Sequence, residues 1–256
     1  VLSQLQKQQK TEITFVYGQK RIAVTTQIIT GWYVPQSDSY ELSDGQIVSY
    51  LQKLGASWGI GVDNITAVAN KTKQALVESK NTSITLVAKK ALRSYKYCTG
   101  LRGIDSSNFS GLNSKVASVL AHPSGWGLGG LVAFSQASSG CSFTVWLSAA
   151  DQMASFGGVC DADWSCRIGS NVVINFDRWQ FASTAWNSAG GSLDNYRSMV
   201  VNHEVGHWLG FGHRSCGGPG LLAPVMQQQS IDLQGCNFNP WPLSAELSAL
   251  RDTISI

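Results

Sequence analysis

Three of the chain's four histidines fall within eleven residues, in the run His203-Glu204-Val205-Gly206-His207-Trp208-Leu209-Gly210-Phe211-Gly212-His213. Histidines four apart on a helix stand one turn apart on the same face, so His203 and His207 can aim imidazole nitrogens at one point. At bonds of about 2.0–2.1 Å that point is a metal position. A helix running on past Leu209 would carry His213 round and away. Gly210 takes a positive φ without steric cost, so the chain can leave the helix there and bring a third imidazole back. Three neutral ligands leave a fourth position for water, the catalytic rather than the structural zinc pattern. Glu204, beside the first ligand, is the candidate base for that water. A bare H-E-x-x-H is weak, because such a set often lies on a solvated helix face. Adding Gly210 and His213 lowers a chance match to on the order of 10⁻⁵ for a chain of this length. One catalytic Zn²⁺ on His203, His207 and His213 is therefore expected.

Those residues need a scaffold, and 256 residues allow one large or two modest domains. Hydrophobic residues make up 43% of the chain and aromatics 10%, a globular composition. Charged residues are only 14% and the net charge is +3, with Lys and Arg scattered, so no nucleic-acid surface is expected. No apolar run approaches bilayer-spanning length, so no membrane contact is expected from these residues. Cys98, Cys141, Cys160, Cys166, Cys216 and Cys236 include no C-x-x-C pair, which argues against a second zinc site or a thioredoxin-like motif. Their even number in a weakly charged chain favours disulfides and an oxidising compartment. Cys160–Cys166 and Cys216–Cys236 are the preferred local loops, leaving Cys98 for Cys141, with other connectivities open. The first residue is Val1 rather than Met, compatible with a removed signal peptide or anchor.

Residues 1–10 read as a polar lead-in without apolar period. Ile13–Tyr17, the Gly18-Gln19-Lys20 turn and Ile22–Thr25 signal a β-hairpin. Extended structure at Trp32–Pro35 runs into a polar turn at Ser37-Asp38-Ser39. Ser43 or Asp44 can cap a helix carrying Ile47, Val48, Leu51 and Leu54, and a second helix is expected at Asn64–Glu78 before a strand at Ser83–Val87. Residues 11–90 thus read as a small α+β accessory domain with no His, no Cys and no clustered acids. This pattern resembles the small domains that precede cell-wall transpeptidase domains in bacterial envelope proteins, which implies a peptidoglycan-binding role.

Ala91-Leu92-Arg93 reads as the junction to a second domain, 93–256. A strand at Ser94–Cys98 is followed by a helix with Phe109, Leu112, Val116, Val119 and Leu120 on one face. His122, before Pro123, reads as a turn residue rather than a ligand. Strands follow at Leu131–Phe134, Ser142–Leu147 and Val172–Phe176, the last ending at Asp177-Arg178-Trp179. An irregular loop is expected at 155–170, where Asp161 and Asp163 hint at calcium but read better as solvated acids. The motif helix opens near Ser192, with Leu193, Tyr196, Met199 and Val200 on one face. The order suits a twisted mixed sheet of about four or five strands backed by two long helices.

Past His213, a Gly-Gly-Pro-Gly cluster leads to Ala223-Pro224-Val225-Met226-Gln227. A methionine in a tight Pro-containing turn thirteen residues after the third His matches the Met-turn that accompanies this zinc motif. With it the chain resembles the metzincin clan of zinc peptidases. Residues 93–256 are most similar to a family of bacterial exported proteins with metzincin-like motifs and no settled function. The carrying stretches are Val172–Asn175 with Arg178-Trp179, Tyr196-Arg197, Asn202–His207, Ala223–Met226 with Gln228-Gln229, and Gly235-Cys236 leading to Asn237-x-Asn239-Pro240-Trp241-Pro242. The resemblance implies His203, His207 and His213 as ligands, Glu204 as base and Met226 as the floor of the site. Two positions depart from it. Gln228 stands where several metzincins carry a tyrosine that swings onto the metal or the oxyanion, which leaves the oxyanion donor unassigned. Arg214 after the third His leaves the subfamily open.

The expectation is an extracytoplasmic zinc endopeptidase acting on protein or peptide, secreted or anchored to the cell envelope by a segment outside these residues. Its first domain would contact the cell wall. Two alternatives stand beside it: a hydrolase of peptidoglycan peptides, and a non-catalytic envelope protein that keeps zinc without turnover. The intact Glu204 argues against the second.

Overall fold

A computed structural model of the chain describes residues 10–37, 39–58, 60–88 and 91–254. The lead-in up to residue 9 and Asp38 of the polar turn lie outside the described residues. The fold is α+β and divides into two units, one of residues 1–90 with Gly129–Leu131, the other of 91–128 with 132–256.

In the first unit, β1 (Ile13–Tyr17) pairs antiparallel with β2 (Lys20–Ala23), Phe15 opposite Ile22. Thr25 ends that hairpin by capping a short helix, α1 (Thr26–Thr30), which its polar sequence does not announce. A second hairpin joins β3 (Tyr33–Gln36) to β4 (Ser39–Leu42). Helix α2 (Asp44–Ser57) buries Ile47, Leu51 and Leu54 at helical spacing, and α3 (Ile65–Val77) buries Val68, Ala69, Thr72, Ala75 and Leu76. Both helices and Ile13, Phe15 and Ile84 share one core. β5 (Thr82–Thr85) closes the sheet by pairing parallel with β1, giving the order β2-β1-β5.

The second unit is built on a five-stranded sheet in the order β7-β6-β8-β10-β9. β6 (Arg93–Arg102), β7 (Val132–Gln136), β8 (Phe143–Ser148) and β10 (Asn171–Asn175) are parallel, and β9 (Cys166–Ile168) runs antiparallel at one edge. Parallel neighbours need crossovers. Helix α4 (Phe109–Leu120) makes the first of them, burying Leu112, Val116, Val119 and Leu120. The strands are rich in buried β-branched and aromatic residues, Phe143 and Val145 on β8 and Val172–Ile174 on β10.

Two local expectations are corrected here. The 155–170 stretch is not wholly irregular: a 3₁₀ turn (Ala150–Phe156) precedes it, and Cys166–Ile168 form β9. Three residues are too few to show alternation in sequence. Asp177-Arg178-Trp179 do not end a strand but lie in helix α5 (Phe176–Phe181), because Asn175 Oδ1 accepts the N–H groups of Asp177 and Arg178 and caps it. Asp161 Oδ1 accepts the N–H groups of Asp163 and Trp164, so this acid shapes its own loop. Helix α6 (Thr184–Ser188) leads to α7 (Leu193–Trp208), and α8 (Ser244–Ile254) closes the described chain. Cysteines pair as Cys98–Cys141, Cys160–Cys166 and Cys216–Cys236. Three disulfides suit an oxidising, extracytoplasmic compartment. Among the described residues no helix is long and apolar enough to cross a membrane.

Candidate metal centre

Helix α7 carries the motif, and both of its ends are set by local chemistry. Ser192 accepts the N–H of Asn195 at the start. At the end, Gly210 N–H donates to His207 O and Phe211 N–H to Gly206 O, a Schellman closure in which Gly210 stands at φ 101°. The chain turns back there and returns His213 to the other two imidazoles. Nε2 of His207 lies 3.1 Å from Nε2 of His203 and 3.1 Å from Nε2 of His213.

The other ring nitrogens decide which protons are present. His203 Nδ1 stands 2.8 Å from Val225 O and His207 Nδ1 stands 2.8 Å from Phe211 O. A carbonyl can only accept, so each Nδ1 bears the proton and each Nε2 is a bare lone pair. Two lone pairs facing each other at that distance repel unless a cation lies between them. Ligands around zinc at about 2.0–2.1 Å would stand roughly 3.3–3.4 Å apart in a tetrahedron, close to the spacing found. The three histidines thus fit a metal ion, and among the described residues they are the one group of metal-ligating side chains brought together. Burial and the neighbouring imidazoles push His203 down to about 3, and burial lowers His207 and His213 as well. All three are therefore held neutral, the state a ligand needs. His122 lies apart, its Nδ1 accepting the Ser124 N–H and its ring stacked on Trp241 at 3.7 Å.

Met226 is fully buried directly beneath this turn of α7. A Cβ added at Gly206 would run into its sulfur and meet the Trp126 ring at 2.9 Å. Trp126 also donates its indole N–H to Asn202 O and stacks on Phe211, whose carbonyl orients His207. Gly206→Ala, which on a free helix surface would stabilise by about 1 kcal/mol, is instead expected to lower the melting temperature and weaken the hold of the three histidines on a metal ion. Differential scanning calorimetry with a chelator competition would reveal an unchanged protein if the packing were loose.

Two supports were not legible from spacing. Glu246, on α8 and 1% exposed, accepts Met226 N–H on Oε1 and both Val225 N–H and Leu243 N–H on Oε2. It therefore holds the strand of backbone whose carbonyl aims His203. The second support is an amide lace. Gln229 donates to the carbonyls of Pro224 and Asn239 and accepts Asn239 N–H, while Asn239 donates to the carbonyls of Ala223 and Trp241. These residues entered above only through the resemblance; their physical part is to tie the methionine turn to the segment after Cys236.

A cleft of about 340 Å³ opens over the cluster. Its floor is Met199, Val200, His203, Glu204 and His207 of α7; one wall runs from Val159 to Arg167, and the other is Gln228–Ile231. Glu204 is 4% exposed and its Oε2 has no hydrogen-bond partner. Burial pushes its carboxyl up to about 8, with the Arg167 charge opposing.

A family described as "Protein of unknown function (DUF3152)" matches residues 63–239. The chain belongs to this family. No curated protein matches it. Two solved structures show a partial likeness. One is the C442S mutant of an Enterococcus faecium L,D-transpeptidase, 11% identical, covering 34% of this chain and 45% of that one at a TM-score of 0.29. The other is the Ldtfm-avibactam carbamoyl enzyme, 10% identical, covering 34% of this chain and 44% of that one at a TM-score of 0.30. The matched region spans less than half of either.

Proposed function

We propose that the protein is a zinc-dependent endopeptidase of metzincin type that cuts proteins or peptides outside the cytoplasm. The observation that carries this reading is the meeting of three imidazole Nε2 atoms, two of them bare, with the unpartnered carboxyl oxygen of Glu204 in one open cleft. Supporting it are the antiparallel edge strand β9 along that cleft, the glycine turn that returns His213, and Met226 packed under the ligand helix. A zinc ion bound by His203, His207 and His213 would supply Lewis acidity, lowering the pKa of water toward ~7 and polarising a peptide carbonyl. Glu204 receives the proton of the attacking water at its free oxygen as the new C–O bond forms. It then delivers that proton to the leaving nitrogen as the C–N bond breaks. The carbonyls of Val225 and Phe211 keep His203 and His207 in one tautomer and one orientation throughout.

A zinc-retaining protein without turnover would need the histidines but not a buried, unpaired carboxyl beside them. Purified protein is expected to hold about one zinc per chain and to cleave casein, to lose cleavage on chelation, and to regain it with Zn²⁺. Failure to take up metal, or cleavage that survives its removal, would sink the proposal.

A further inference from the structure

Arg167 has no part in the reaction just outlined, yet it stands at its centre. It is the middle residue of β9, opposite Val172 of β10. Its neighbours Cys166 and Ile168 pack into the small cluster of Met153, Cys160 and Val173. Side chains alternate along a strand, so Arg167 faces the other way, and there it lines the cleft together with Glu204 and the three histidines. Its Nε is enclosed and has no acceptor. Among the described residues the ion pairs are Lys73–Asp44 and Lys115–Asp194, and Arg167 enters neither. A half-buried guanidinium without an anion is a burden on the fold, since it loses hydration without gaining a partner. The Cys160–Cys166 disulfide adjoins it and fixes the start of the strand that presents it.

We propose that Arg167 is a catalytic residue, whose N–H groups stabilise the oxyanion formed as water adds to the peptide carbonyl. The proposal rests on the peptidase reading and fills the role left open by Gln228. Its charge already acts on Glu204 and His207. On the peptidase reading the buried Glu204 carboxyl gives up its proton when zinc is bound beside it, so that before the step the negative charge resides there. As the water proton moves to that carboxyl, the carbonyl π pair moves onto oxygen, and the negative charge passes from one neighbour of Arg167 to another. The guanidinium therefore gains its full partner only as the barrier is climbed, which raises the rate rather than the affinity. A permanent acidic group of a substrate fits the place less well, because it would stand against Glu204 before reaction.

The test uses the zinc-loaded full chain and a peptide spanning the casein bond that the wild type cuts fastest. Arg167→Met is expected to lower kcat by about 10²–10³-fold. KM should stay at its wild-type value, and zinc content and Tm at or above theirs. Arg167→Lys should fall between, and millimolar guanidinium should restore part of the activity of Arg167→Ala. Undiminished kcat in Arg167→Met, a rise in KM alone, or a fall in Tm and zinc content that tracks the loss would each overturn the assignment. A zinc-loaded wild type that cuts no peptide fails the peptidase reading itself and takes this role with it, whereas equal cleavage by wild type and variant removes Arg167 alone.

Discussion

Glu204→Gln is expected to abolish peptide hydrolysis while leaving the metal bound. Glutamine keeps the shape of the side chain and touches none of the three imidazoles, but it cannot take a proton from water. Loss of a positioned base of this kind costs about 10²–10⁴-fold in turnover. Zinc content measured alongside casein cleavage separates the two effects, and retention of wild-type turnover would remove Glu204 from the mechanism. The same variant makes a second prediction, because burial holds the metal-free carboxyl up to about 8. Below pH 4.5 the carboxyl is protonated in folded and unfolded chains alike, so wild type and Glu204→Gln should unfold together. Between 4.5 and 8 the unfolded chain ionises while the folded one keeps its proton, and wild type loses stability as pH rises, by up to about 1.4 kcal/mol per pH unit. Gln has no such loss. Metal-free Glu204→Gln should therefore melt above wild type at pH 7–8 and level with it at pH 4; parallel curves at both would contradict the burial of this group.

Replacing Glu246 should do nearly as much damage from outside the ligand set. Its carboxylate accepts three backbone N–H groups, from Val225, Met226 and Leu243. Alanine would leave the buried Val225 and Met226 N–H groups and the part-buried Leu243 N–H unmet, at on the order of 1–3 kcal/mol for each buried one before relaxation. A loss of about 3–5 kcal/mol in unfolding free energy is expected. Glutamine is not conservative here, because its NH₂ must face at least one of those donors, and about half that loss should remain. Val225 O orients His203, so zinc affinity should fall by about 10–100-fold in the folded fraction. Urea titration and chelator competition measure the two effects separately. An Ala variant with the wild-type urea midpoint would show the carboxylate to be dispensable.

What could be read in advance follows the range of the forces involved. The ligand set is local: its spacing matches the helical repeat, and Gly210 marks where the helix must end. Helices α2, α3 and α4 announce themselves through apolar stripes, and the β1–β2 hairpin through alternation around Gly18. Four strands of the second unit's sheet, β6, β7, β8 and β10, are marked by their apolar runs, while the antiparallel fifth, β9, falls in the stretch read as an irregular loop. The ligand helix is another matter. Its first turns show Leu193, Tyr196, Met199 and Val200 on one face, but residues 198–206 are all buried, so that part has no solvated face and only the motif marks it. Glu246 could not be found because its partners are main-chain N–H groups twenty residues away, which carry no residue identity. Its sole local trace is the reach back from the third position of α8 to Leu243 N–H, half of a capping box. Arg167 was hidden by the brevity of β9, and the pairing of Gln229 with Asn239 by the absence of any spacing rule for amide laces.

The cleft's walls and its floor are held by different chemistry, and this divides the protein's response to its surroundings. The floor is the packed helix α7, with no cysteine in it. The wall that ends at Arg167 hangs on Cys160–Cys166, and the wall containing Gln228–Ile231 lies inside the loop closed by Cys216–Cys236. A reducing environment would remove one tie from each wall, leaving β9 on β10 and Gln229 on Asn239, while the imidazoles stay in place on packing and backbone hydrogen bonds. The chain would then keep its capacity for metal with looser walls around a polypeptide. On the peptidase reading, the disulfides would serve the hold on substrate and packing would serve the metal site.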